Sequence, residues 1–225
     1  MVMSALGRLG LVLVLLVTVS CTDAPAEVPI TAVPPAPGAP EASTAVDRLL
    51  AAVTAGDYAT ASDLTVDSQM VAIAVTENAS VEALHGVLAT GGRDIGANYW
   101  ESFAATIEEF MGASTFTVGN TEAVSIEGVD FALVDVNASA DLVGRRFVAQ
   151  RLDDGWKIDV VATFAPAMAQ RLGRTADSLR ADPTAEDILA AIIDQRHSLE
   201  VALRDAALEV DTIQLIRTAI VSLGG

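Results

Sequence analysis

Between Arg145 and Val161 the chain carries the pattern of a β-hairpin: the run Arg145 to Leu152, the step Asp153-Asp154-Gly155, and the run Trp156 to Val161. The Asp-Gly step supplies a residue that tolerates positive φ where a tight turn needs one, so the two runs should pair directly. After the turn, Trp156, Ile158 and Val160 share one face and Lys157 and Asp159 the other, the period of a half-buried strand. This hairpin closes a strand-rich stretch from about Thr115 to Thr163. Earlier strands are expected around Ser114 to Val118 and Glu122 to Ile126, and, past a turn at Gly128, over Phe131 to Ala138.

The chain upstream of that stretch reads as helix. Val46, Leu49, Leu50 and Val53 repeat at helical spacing after Thr44, with Asp47 where a capping box places an acid, and Gly56 ends the run. Asp57 is then placed to cap a short helix through Tyr58, Ala61 and Leu64. Met70, Val71, Ala74 and Val75 form one further apolar stripe. Val81, Leu84, Val87 and Leu88 form another, with Ser80 as its cap and Gly86 as an interruption. After Gly91-Gly92, the side chains Trp100, Phe103, Ile107, Phe110 and Met111 make a bulky stripe suited to covering a sheet. Helices followed by a meander predict an α+β fold with helices packed on one face of a curved antiparallel sheet.

The opening phrase Val46 to Leu64 with its Gly56-Asp57-Tyr58 turn, and the closing strands through Leu152 to Ile158, resemble the nuclear transport factor 2-like (cystatin-like cone) superfamily. The resemblance covers roughly Ala45 to Thr163. It implies a cone-like domain in which helices wrap into the curved sheet. Members of that superfamily include cyclases, isomerases and dehydratases as well as domains without known chemistry. In its enzymes polar groups inside the cone do the work, commonly Asp, His and Tyr. The matching candidates here are His85, Asp135 and Tyr99, with Asn137 and Tyr58 behind them.

At the other end of the chain, Arg8 is followed by the uncharged run Leu9 to Val19, too short to cross a bilayer comfortably but suited to the apolar core of a secretory signal. The run leads into Thr18-Val19-Ser20-Cys21, which resembles the lipobox of bacterial lipoproteins, although Thr18 stands where Leu is most usual. That resemblance implies acylation of Cys21. A solitary cysteine at the exit of an export signal has no intrachain partner, and each buried acyl methylene adds about 0.8 kcal/mol of membrane affinity. Cleavage after Ala24-Pro25-Ala26, or an uncleaved anchor, are the alternatives. Repeated prolines from Thr22 to Ala42 remove backbone donors and favour an extended tether. The expected divisions are 1–20 signal, 21–43 tether, 44–165 α+β domain and 166–225 helical extension. The expected place is the outer face of the cell membrane or the periplasm.

In the extension, Pro166 opens a helix through Met168, Leu172 and Leu179 that stops at Asp182-Pro183. Thr184 then caps a long segment with apolar residues on more than one side: Ile188, Ile192, Leu199 and Leu203, and at intervals of seven Val201, Leu208 and Leu215. A fold-back near Asp211-Thr212 would start a last helix. If Val201, Leu208 and Leu215 were exposed together they would mark a helical partner; packing against the rest of the chain is the alternative.

Charge and spacing narrow the function further. Between Glu41 and Ala165 there are 19 acidic and 6 basic residues, within a net charge of −17. Such a surface repels phosphate backbones, so nucleic-acid binding is disfavoured. No His/Cys cluster suggests a metal, and Asp153-Asp154-Gly155 lacks the further oxygen ligands of a calcium loop. No cofactor loop follows a strand. The apolar candidates for a ligand pocket are Trp100, Phe103, Trp156 and Ile158. The expectation is therefore a lipid-anchored protein that binds a small apolar ligand or an envelope partner, with general acid/base catalysis or a helical scaffold as alternatives.

Overall fold

A computed structural model describes residues 38–111, 116–138 and 145–224. Among these residues five α-helices precede the sheet: α1 (Ala39–Thr54), α2 (Tyr58–Asp63), α3 (Met70–Thr76), α4 (Val81–Thr90) and α5 (Arg93–Met111). Four strands follow, β1 (Phe116–Ile126), β2 (Val129–Ala138), β3 (Arg145–Leu152) and β4 (Gly155–Ile158), in an antiparallel meander of order β1-β2-β3-β4. Five more helices complete the chain: α6 (Val160–Thr163), α7 (Ala165–Leu179), α8 (Glu186–Ile193), α9 (Arg196–Ala202) and α10 (Val210–Gly224). The fold class is α+β, as the sequence predicts.

The turns follow from local chemistry. Leu152 pairs with Gly155, whose φ is +126°, so the glycine does open the return strand. At the β1–β2 turn Glu127 and Gly128 have φ +51° and +88°, the paired positive values of a tight hairpin turn. Asp57 accepts a hydrogen bond from Thr60 N (3.1 Å) and Ser80 Oγ one from Ala83 N (3.2 Å), so both predicted caps form.

Helix α1 starts at Ala39, five residues ahead of the expected domain start. Pro40 lies in its first turn, where a proline's missing N–H costs nothing, so the last proline of the rich stretch opens the helix. Thr44 is inside this helix and donates to Pro40 O (2.8 Å) rather than capping. The stripe on α4 is also displaced. Leu84 and Val87 are buried, whereas Leu88 is exposed.

Strand β4 ends at Ile158, two residues before the apolar alternation does. Val160 and Val161 belong to α6, because Asp159 turns its carboxylate onto Ala162 N (2.7 Å) and caps a helix there. Ile158 is fully buried, while Trp156 is half-buried against the core. The outer edge of β4 is closed by Leu64 to Val66: Ile158 N donates to Leu64 O (2.7 Å), and Val66 N donates to Ile158 O (3.0 Å).

The sheet is covered on both faces, where the sequence suggests only one. Ala132, Val134, Val136, Phe147 and Ala149 join the core shared with α1 and α3. Phe131, Leu133 and Val148, on the opposite face, pack against Ala162 of α6 and Val201 of α9. Of the C-terminal helices, α6 and α9 therefore cover the second face, while Leu172 of α7, Ile192 of α8 and Ile216 of α10 join the first core. The tail segment expected from Thr184 breaks at Asp194-Gln195, and a last helix starts at Val210, beside the fold-back expected near Asp211-Thr212. Gln195 Nε2 donates to Ala191 O (2.9 Å) and reaches Ser68 O (3.4 Å), which ties the first break to the body.

Candidate functional site

Each residue proposed for chemistry has a definite place. His85 faces α8, and its Nδ1 meets Asp187 Oδ2 at 3.2 Å, with both side chains partly solvated. The sequence places it near the interior; α4 docks instead through Leu84 and Val87, which turns His85 toward the C-terminal layer. Asp135 on β2 pairs across the sheet with Arg146 Nε (2.9 Å), and Glu122 meets the same guanidinium at 3.3 Å. Its cross-strand register with Arg146 makes this an ordinary stabilising pair. Asn137 is exposed on the same strand, and Tyr58 is half-buried at the start of α2. Tyr99 stacks edge-on with Trp100 (5.3 Å) and Phe164 (5.8 Å), and burial, aided by the Glu77 charge, raises its hydroxyl far above its ordinary pKa. His85, Asp135 and Tyr99 each serve a different partner, so the geometry assembles no acid/base set from them.

Three of the four apolar candidates, Trp100, Phe103 and Ile158, belong to a packed interior. Trp100 is fully buried and its Nε1 donates to Thr65 Oγ1 (2.9 Å). Phe103 meets Trp100 at 5.3 Å, Phe164 at 5.4 Å and Phe147 at 6.4 Å, all edge-on, the arrangement that aromatic quadrupoles favour. Helix α5 thus reaches β3 through rings that touch. Val201 is fully buried and Leu208 and Leu215 are partly buried, so the strip that would have marked a helical partner faces the body.

A polar network that sequence reasoning missed joins the two layers. Asp159 is fully buried and accepts from Ser198 Oγ (2.7 Å) as well as from Ala162 N. Gln69 Nε2 donates to Ser198 Oγ (3.2 Å), and Gln69 Oε1 accepts from Val160 N (2.7 Å). Burial pushes the Asp159 carboxyl above the usual carboxylate range, and its hydrogen bonds offset this only in part. The one available signal was an acid alternating with apolar residues immediately before a helix. The other histidine crosses the same seam, since His197 Nε2 meets Glu127 Oε2 at 3.0 Å. That contact holds the Glu127 carboxyl below its ordinary range.

Trp156 lies apart from the aromatic interior. With Gly38, Glu41, Thr44 and Arg48 of the α1 region and Arg151 and Asp154 of the hairpin, it lines an open surface cleft of 610 Å³. A Cβ on Gly38 would lie 3.0 Å from the indole Cζ2, so the glycine lets the backbone meet the ring.

Cys21 lies outside the described residues. Among the described residues no group of three or more His, Cys, Asp or Glu side chains is placed to hold a metal ion, and no helix is long and apolar enough to cross a membrane. Compared with known protein families, curated proteins and solved structures, the chain matches none.

Proposed function

We propose that this chain is an exported, lipid-anchored envelope protein whose folded body binds a ligand or partner at its surface. The anchor reading is supported by the Leu9 to Val19 run, by Cys21 as the sole cysteine at its exit, and by the proline-rich stretch before α1. The observation that carries the binding reading is the commitment of the interior. Trp100, Phe103 and Ile158 are spent on packing, and the aromatic rings close on one another. His85, Asp135 and Tyr99 are spent on separate contacts. What stays open lies at the surface, in clefts of which the one at Trp156 carries an aromatic wall.

Metabolic labelling with radioactive palmitate tests the anchor. Wild type should incorporate label and remain with membranes, and Cys21→Ser should lose both. Equal label in the two proteins, or none in either, would defeat the assignment.

A further inference from the structure

We infer that the cleft between α1 and the β3–β4 hairpin binds a sugar ring of a neutral glycan, with Trp156 as its apolar wall and Arg48 and Arg151 as its donors. The inference rests on the binding reading above and names the ligand class for that cleft.

Most of the other cations described are engaged: Arg93 with Asp63, Arg146 with Asp135, Lys157 with Asp67 and Arg196 with Glu200. Arg48 and Arg151 are exposed and have no partner among the described residues, yet both open onto one cleft, and the Trp156 Nε1 there is likewise unpaired among them. Glu41 and Asp154 line the same cleft, Asp154 with one oxygen on Lys157 Nζ at 3.3 Å and the rest of its carboxylate free to accept, and Thr44 adds a hydroxyl whose own proton goes to Pro40 O. Donor forks, carboxylate acceptors and an indole thus converge in 610 Å³, within the range of about 300–1,000 Å³ typical of small-molecule sites.

That mixture discriminates among ligand classes. A purely apolar ligand would strip water from two guanidinium and two carboxylate groups without replacing their hydrogen bonds. A polyanion would meet Glu41 and Asp154, and a cation would meet both arginines. A sugar ring satisfies all three demands. Its hydroxyls donate to carboxylates and accept from guanidinium forks, while its C–H face lies on an aromatic wall that itself carries a donor.

The test is calorimetric titration of the full chain, held in a detergent without a sugar headgroup, with maltotriose, cellotriose, chitotriose and trigalacturonate. At least one neutral trisaccharide should bind with a millimolar or tighter Kd. Arg151→Ala and Trp156→Ala should each weaken it about tenfold or more, a loss of about 1.4 kcal/mol, and Arg204→Ala should not. Arg48→Ala and Arg151→Ala change exposed side chains that hold no partner among the described residues, and keep the test valid even if Trp156→Ala fails to fold. Silence toward all the neutral sugars, binding of trigalacturonate alone, or affinity unchanged in Arg48→Ala and Arg151→Ala would overturn the inference. Palmitate labelling reads Cys21 independently, so loss of the glycan site and loss of the anchor are separate results.

Discussion

At the scale of single residues, Asp159 has the largest consequences. Its carboxylate caps α6 and holds Ser198 of α9, so the strand end and the second layer share one buried acceptor. Because its folded pKa is raised above the unfolded value, the native state holds the proton where the unfolded state has released it. Its contribution is therefore present below the ordinary carboxylate range and is lost as pH rises from there toward the folded pKa. Denaturant unfolding across that window should show wild-type stability falling with pH from this group and a flatter profile for Asp159→Asn. Asp159→Ala should cost about 1–3 kcal/mol below the ordinary carboxylate range, since Ala162 N–H and Ser198 Oγ–H both lose their acceptor, and the cost should shrink as pH rises and the wild type is destabilised. Trp100→Ala should cost about 3–5 kcal/mol by urea titration, the usual result of emptying a fully buried aromatic site.

At the scale of elements, two glycines inside helices make opposite predictions. A Cβ on Gly173 of α7 would lie 3.2 Å from the Ala219 Cα of α10, so the two helices meet backbone to backbone. Gly173→Leu should pry them apart and cost about 1–3 kcal/mol by thermal unfolding. A Cβ on Gly86 of α4 meets nothing within 4 Å, and Gly86→Ala should stabilise by about 0.5–1 kcal/mol by removing unfolded-state freedom. The sequence shows Gly86 as an interruption of an apolar stripe and gives no sign of what Gly173 does, since only the neighbouring helix makes Gly173 necessary. The same reasoning covers the break at Gln195. Its side chain bonds to Ser68 from 127 positions away, a partner that no helical periodicity announces.

At the scale of the whole molecule, the C-terminal helices are structural. Phe131, Leu133 and Val148 are buried only because α6 and α9 lie over them, and Ser198 supplies part of the network at the seam. Removing residues 183–225 should expose that face and give a chain that binds a hydrophobic dye or aggregates. Intact protein should unfold in one transition, with tryptophan fluorescence and far-ultraviolet circular dichroism coinciding. Two separated transitions would mean that the layers fold independently. Much of this architecture was legible in the chain: the turns at Gly128 and Gly155, the caps at Asp57 and Ser80, and helices followed by a meander all rest on contacts within a few residues, which sequence spacing encodes directly. Tertiary structure alone decided that β2 is buried on both sides, that His85 serves α8 and that Trp156 forms a cleft with two arginines that have no partner among the described residues, because each depends on residues brought together from far apart in the chain.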